Sequence, residues 1–384
     1  MKKKILVLYR LDEESKSRLI ELAGTMYEVT FYSSEWNWAR YCYELQEASI
    51  IIGEPKSEEL RLCRKLELMH ISWSGVDYYV EAGTFPDGAI LCNMTGAYGR
   101  VLSEHMLAML LSLCRRLPEY QTQQNAGLWN ILLYDKPVEG SSVLILGAGD
   151  VGTTLATWMR PMVNRIVGVR RVPRDYPSCF DEMITLEQLD DYLPQADLIL
   201  CCMPSTTQTA GLLNERRLRL MKKDSVLVNA GRGNLIDLDA LNRVLDDGWF
   251  WGVGLDVTEP EPLPQEHRLW KQSRVMITPH ASGNSFGPGS PTDQKIIKTM
   301  LSNVEHFIKG EPVENRVDFS TGYRLLKKEG EWIWRFFLYL IKHFWNMEKS
   351  CIILILTFFW KKCRKYQCPN AVFVMRQALA LWKN

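Results

Sequence analysis

No Cys-x-x-Cys pair occurs in the 384 residues, and no cysteines and histidines stand at zinc-ligand spacing, so no metal site is expected. The ten cysteines (42, 63, 92, 114, 179, 201, 202, 351, 363 and 368) lie mostly inside apolar segments such as "SLCRR" and "AILCN". They read as reduced thiols of a cytoplasmic protein. Cys201 and Cys202 end one strand candidate, so their side chains should point to opposite faces. An excess of one charge is also missing. The formal net charge of +1 gives no argument for nucleic acid or for a strongly acidic partner. No apolar run reaches the roughly 20 residues of a spanning helix. Behind "MKKK", the apolar stretch 5–8 is too short for the core of a signal peptide. Internal repeats and low-complexity segments are absent.

What is present is a chain of about two or three domains' length, 46% hydrophobic, with 25 glycines for tight turns. Strand-like and helix-like segments alternate. "KKILVL" is followed by the helix "DEESKSRLIELAG", with Asp12 as N-cap and Gly24 as stop. Further strands are expected at "YEVTFY", "SIIIG", "ELMHIS" and "AILCN", then a long helix through "RVLSEHMLAMLLSLCRRL" that stops before Pro118. A second series runs through "SSVLILG", "NRIVGV", "ADLILCC", "DSVLVNAG", "FWGVGLDV" and "RVMIT". After the loop "GNSFGPGSP" comes a helix that starts near Pro291, carries an apolar stripe from Ile296 to Ile308 and closes at Gly310. The alternation implies an α/β fold with parallel sheets covered by helices.

Two constellations carry chemistry. In "VLILGAGDVGTTLATWM", Gly147, Gly149 and Gly152 stand in G-x-G-x-x-G spacing between a strand and a helix, the context of a dinucleotide pyrophosphate site. About 20 residues further on, where an acidic residue would hold the adenosine ribose of NAD, the chain reads "GVRRVPRD". Arg170 and Arg171 there suit a 2′-phosphate, so NADP is the expected cofactor, with NAD possible. The second constellation lies at successive strand ends: Arg232 in "NAGRG", a carboxylate among Asp256, Glu259 and Glu261, and His280 in "TPHASG". An arginine, a carboxylate and a histidine at neighbouring strand ends can form one site.

Together "SWSGVDYY", "GAGDVG", "NAGRG", "GLDVTEPEP" and "TPHASG" make the chain, from about residue 1 to about 322, resemble the D-isomer-specific 2-hydroxyacid dehydrogenases. The resemblance implies two doubly wound domains. A Rossmann dinucleotide-binding domain (99–283) is inserted in a flavodoxin-like substrate domain (1–98 and 284–322), with hinges near Gly99 and in "GNSFGPGSP". It implies that Glu261 is the carboxylate paired with His280, leaving Glu259 solvated. His280 would be the acid/base of hydride transfer between a nicotinamide cofactor and a 2-oxo acid/D-2-hydroxy acid pair, with Glu261 favouring its protonated ring. Arg232 would bind and polarise the substrate, and the backbone of Ser74, Gly75 and Val76 would hold its carboxylate. Asp256 would face the nicotinamide carboxamide. Asp150, Val151, Pro204, Thr209, Ala230 and Ser282 join the cofactor contacts, and a homodimer is implied, with 118–136 as a candidate arm.

Trp73, beside the carboxylate loop, reads either as a lining of the substrate pocket or as an ordinary core residue. Two other readings stand beside this one: a glyoxylate/hydroxypyruvate reductase, and a non-enzymatic cofactor sensor on the same scaffold. Residues 323–384 depart in composition, with twelve Lys+Arg against three Asp+Glu and five of the thirteen tryptophans. They read as a basic, aromatic tail that is dispensable for catalysis and poorly packed on the core. Membrane contact through it is conceivable but not favoured.

Overall fold

The computed structural model describes residues 2–80, 82–172, 176–283 and 287–325. The first part comprises β1 (Lys3–Val7), α1 (Glu13–Ala23), β2 (Tyr27–Phe31), α2 (Trp38–Glu47), β3 (Ala48–Ile52), β4 (Leu68–His70), the one-turn α3 (Asp77–Val80) and β5 (Ile90–Cys92). Helices α4 (Gly99–Cys114) and α5 (Leu117–Asn125) lead into the second part. It runs β6 (Ser142–Leu146), α6 (Asp150–Met159), β7 (Arg165–Val169), β8 (Glu182–Ile184), the one-turn α7 (Leu189–Tyr192) and β9 (Leu198–Cys201). It continues with α8 (Glu215–Leu220), β10 (Val226–Asn229), α9 (Leu238–Asp246), β11 (Gly252–Leu255) and β12 (Val275–Ile277). Helix α10 (Pro291–Ile308) and the hairpin of β13 (Val317–Asp318) with β14 (Tyr323–Arg324) complete the described chain.

Two parallel sheets result, as the alternation of segments implies. Their strand orders are β2-β1-β3-β4-β5 and β12-β11-β10-β9-β6-β7-β8. In the second, the order reverses between β6 and β9, and a crevice opens outside the carboxyl ends of the strands at such a point. The inner strands β3, β9, β10 and β11 are buried over their whole length because both faces are covered. Leu144 and Leu146 pack in one core cluster, while Val143 and Ile145 pack in the other, on the opposite face. Cys201 and Cys202 divide in the same way between the two faces, and burial pushes the Cys202 thiol up to about 12. Ile296, Ile297, Met300 and Val304 of α10 share a core with Ile5, Ile50 and Leu68 of the first sheet. Each such fully buried aliphatic side chain contributes roughly 1.5–3 kcal/mol.

Local signals act where the sequence puts them. Asp12 accepts from the Ser15 amide at the start of α1, Gly24 takes φ +54° after its end, and Ser290 caps α10 with Pro291 in its first turn. One boundary differs. The long helix ends at Cys114, Arg116 turns to φ +59°, and Pro118 opens α5 instead of standing after a stop. Proline lacks an N–H that a first turn would leave unused anyway, so it starts a helix as readily as it follows one. The ten-residue α2 and the three-residue β8 have no counterpart among the expected elements. The first is rich in aromatics and the second is too short to show a period. The expected tail is corrected at its start: Tyr323 and Arg324 pair with Asp318 and Val317 as β14 and belong to the folded chain, because their backbone groups complete the hairpin. Residues 326–384, the rest of that tail after Leu325, lie outside the described residues. Among the described residues no helix is long and apolar enough to cross a membrane, and no group of three or more metal-ligating side chains occurs.

Candidate active site

The turn after β6 shows what its glycines do. Gly147 has φ +106°, and a Cβ there would meet the Cys202 carbonyl oxygen at 2.9 Å. At Gly152 a Cβ would lie 2.3 Å from the Gly147 carbonyl oxygen, so α6 can press onto the turn only without a side chain. Gly149 has nothing within 4 Å of where its Cβ would stand, which leaves the turn open on that side. The first-turn amides of α6, at Asp150, Val151 and Gly152, lie beyond the reach of intrahelical acceptors and offer N–H groups and the positive helix end. Closure, openness and unused donors together fit a dinucleotide pyrophosphate. The Asp150 carboxylate oxygens lie 2.7 Å from where a Gly99 Cβ would be, against the first turn of α4. At the end of β7, Arg170 Nε donates to the Ala148 carbonyl of the turn at 2.7 Å, and Arg171 is exposed with its guanidinium 4.5 Å from the Tyr323 ring centre. Pro204 and Thr209 lie in the loop after β9. The buried Thr209 hydroxyl donates to the Pro204 carbonyl at 2.7 Å, so it shapes the loop from within. Ala230, at the end of β10, is buried and donates its amide to Cys201.

Strands β10, β11 and β12 end in register, Asn229 beside Leu255 and Leu255 beside Ile277, so the segments beyond them lie side by side. Asn229 is fully buried and braces the turn that carries Arg232: its amide donates to the Arg232 carbonyl at 2.9 Å, and its oxygen accepts from the Gly231 amide. Gly233 allows the next contact, since a Cβ there would stand 1.9 Å from the Thr258 carbonyl oxygen. The Thr258 amide donates to Glu261 Oε1 at 3.1 Å, and Glu261 Oε2 meets His280 Nδ1 at 2.9 Å. Glu261, not Glu259, is thus the glutamate on the histidine. Both partners are partly exposed, with side-chain exposures of 46% for His280 and 39% for Glu261.

His280 stands at φ +51°, a region that costs a non-glycine residue of order 1 kcal/mol or more and persists only when its surroundings over-determine it. Asp256 supplies much of that determination. Its carbonyl accepts the His280 amide at 2.7 Å, and its carboxylate accepts from the Ala281 and Ser282 amides and the Thr278 hydroxyl. Burial pushes the Asp256 carboxyl up, but the hydrogen bonds from Ser282, Thr278 and Ala281 outweigh it and hold the group below the usual range. Asp256, expected to face the nicotinamide, is 1% exposed and turns its carboxylate into the loop that carries His280. The Ser282 amide is one of its ligands rather than an open donor.

The third wall is the loop after β4. The amides of Ser74, Gly75 and Val76 donate to no acceptor among the described residues, which suits an anion. Arg232 presses on this loop: a Cβ on Gly75 would lie 1.6 Å from Arg232 Nη2. Asp77, one residue beyond the expected set, binds the same guanidinium, Nε at 3.2 Å and Nη2 at 3.1 Å from its Oδ1. Glu54 accepts the Ser72 amide, and the Tyr98 hydroxyl donates to the Ser72 carbonyl at 2.7 Å, fixing the root of the loop. Burial pushes the Glu54 carboxyl up. His105 of α4 bonds the Thr278 hydroxyl at 3.0 Å and so joins the network behind His280. Asp77 sits inside "SGVDYY" and was legible as a charge beside the loop. Glu54 and His105 had no sequence signal beyond their residue type. Trp73 is 43% exposed.

Comparisons with known proteins agree with this fold. Residues 107–282 match the model of the D-isomer specific 2-hydroxyacid dehydrogenase NAD-binding domain. Glyoxylate/hydroxypyruvate reductase A of Salmonella choleraesuis is 32% identical over 225 residues, 59% of this chain and 70% of that protein. Glycerate dehydrogenase of Methylorubrum extorquens is 26% identical over 314 residues, 79% of this chain and 96% of that one. A solved D-isomer specific 2-hydroxyacid dehydrogenase family protein from Aeromonas salmonicida superposes with a TM-score of 0.72 at 30% identity, covering 83% of this chain and all of the other. The chain belongs to the D-isomer specific 2-hydroxyacid dehydrogenase family, and with it to the nicotinamide-dependent oxidoreductases.

Proposed function

We propose that the chain interconverts a small 2-oxo acid and its D-2-hydroxy acid with NADP(H) as the preferred cofactor. The carrying observation is the contiguous path from the 74–76 loop through Arg232 and Thr258 to the Glu261–His280 pair. The bound nicotinamide carries the hydride. The remaining work falls to side chains of this chain. The open amides at Ser74, Gly75 and Val76 bind the substrate carboxylate. Arg232, held at that loop by Asp77, places positive charge on the carbonyl oxygen where negative charge develops. His280 gives that oxygen a proton from Nε2 in reduction and takes it back in oxidation, while Glu261 at Nδ1 fixes the orientation of the ring.

Arg170 and Arg171 at the end of β7 support NADP, because a guanidinium pairs with a 2′-phosphate where a carboxylate would repel it. The names of the relatives support a two- or three-carbon substrate such as glyoxylate or hydroxypyruvate, with Trp73 beside the loop limiting side-chain size. Family membership favours the enzyme over a cofactor sensor. The packing of α10 on the first sheet supports a substrate domain of 1–98 with 284–322 around a dinucleotide domain of 99–283, the site lying between them. Leu128, Trp129, Ile131, Leu133 and Tyr134, between 53% and 97% exposed, support a homodimer formed through the segment 118–136, and the burial of Cys63, Cys92, Cys114 and Cys201 as free thiols supports a cytoplasmic location.

A panel of 2-oxo acids assayed with NADPH and with NADH tests the reading. Turnover of glyoxylate or hydroxypyruvate, faster with NADPH, is expected. A preference for NADH would refute the role of the arginines, and no turnover of any 2-oxo acid would refute the reaction.

A further inference from the structure

The hairpin of β13 and β14 lies outside every motif used so far, yet it reaches both sheets. At its root Val317 is buried, Arg316 bridges to Cys92 at the end of β5, and Phe319 packs on Phe85 with ring centres 4.9 Å apart. At its far end Tyr323, half-buried, stacks beneath the Arg171 guanidinium at 4.5 Å. The Asp318 carboxyl is held below the usual range, first by the Ser320 hydroxyl and amide and least by the charge of Arg171, so hairpin and arginine are electrostatic neighbours.

We propose that Tyr323 is a cofactor-positioning residue: its ring holds Arg171 in the orientation that binds the phosphate on the adenosine ribose. The inference rests on the NADP reading above and adds a residue to it. A long arginine on the surface loses much side-chain freedom when it closes on a ligand, and prior stacking removes part of that cost. An aromatic face engages the plane of the guanidinium and leaves its N–H edge free, and the edge is what pairs with phosphate oxygens. The hairpin also ties this corner of the cofactor site to β5 of the first sheet.

The test uses the full chain and needs no turnover. The dissociation constants of NADPH and NADH are measured by cofactor fluorescence, and those of 2′-AMP and 5′-AMP by calorimetry. Tyr323→Leu keeps bulk and removes the π face. It should weaken NADPH and 2′-AMP by about two- to five-fold, the range of an exposed cation–π contact, and leave NADH and 5′-AMP unchanged. Tyr323→Phe should behave as the wild type. Unchanged NADPH affinity in Tyr323→Leu, equal weakening of both cofactors, or failure of Tyr323→Phe to restore binding would each overturn the inference. Arg171→Ala separates the two levels. If it loses NADPH selectivity while Tyr323→Leu does not, only the role of the ring falls. If it leaves NADPH binding intact, the NADP reading falls and this inference with it.

Discussion

Replacing Gly75 by alanine adds one methyl group where Arg232 lies. The new Cβ would stand 1.6 Å from Nη2, 2.9 Å from Cζ and 3.1 Å from Asp77 Oδ1. Carbon needs about 3.5–4 Å, so the guanidinium must retreat by about 2 Å. It can do so, because the colliding atoms are the far end of a flexible side chain, and the backbone at Gly75 has no positive φ that would exclude alanine. The fold should therefore survive while the positive charge leaves the substrate's carbonyl. Misplacement by 1 Å can cost on the order of 10² in rate, and losing one preorganised donor at a developing oxyanion costs on the order of 10²–10³. Gly75→Ala should therefore lower kcat/KM by at least about 10², or about 2.7 kcal/mol of transition-state stabilisation, with Tm and the NADPH dissociation constant unchanged. Gly233→Ala is the contrasting control. Its Cβ would stand 1.9 Å from a backbone oxygen of Thr258, which cannot step aside, so stability and activity should fall together. A Gly75→Ala enzyme with wild-type kcat/KM would refute the placement of Arg232 on the loop as a catalytic requirement.

Three further outcomes follow from other contacts. His70 is fully buried with Nε2 unpartnered among the described residues, and burial pulls its ring from 6.5 down to about 4. Above pH 6.5 the ring is neutral folded or unfolded. Between 6.5 and about 4 only the unfolded chain takes up the proton, so stability should fall by up to roughly 3 kcal/mol across that window. Urea unfolding at pH 7 and 4.5 should show a smaller loss for His70→Gln than for the wild type, and equal losses would contradict this. Glu261→Gln removes the anion that holds His280 Nδ1 at 2.9 Å and leaves the ring free to turn, so kcat should fall on the order of 10²-fold while the NADPH dissociation constant stays unchanged. A variant with wild-type kcat would break the pairing. Trp129→Glu with Ile131→Glu places charge on side chains 97% and 83% exposed, and should convert a dimer to a monomer in sedimentation. A dimer that persists would exclude this segment as the arm.

Much of the architecture was legible because parallel strands buried on both faces must be apolar runs, and 50–52 and 143–146 could hardly be anything else. The glycine turn was legible for a similar reason, since the requirements at Gly147 and Gly152 are steric and leave only one residue type. Other features depend on packing between distant segments. That Asp256 turns inward to brace the His280 loop depends on where the amides of Ala281 and Ser282 fall, 25 and 26 residues away. That Asp77 seizes Arg232 depends on a contact across 155 residues. Pro118 does not settle the boundary by itself, because its chemistry permits both an end and a beginning of a helix, and the left-handed turn at Arg116 decides between them.

The most direct measurement is the turnover of His280→Ala with its cofactor affinity determined in the same preparation. Loss of a positioned general acid costs typically 10²–10⁴ in rate. Reduction of the best 2-oxo acid should fall within or below that range at every pH, while the NADPH dissociation constant stays at the wild-type value. A variant that binds NADPH normally and reduces the acid within a few-fold of the wild-type rate would contradict the assignment of His280 as the proton donor.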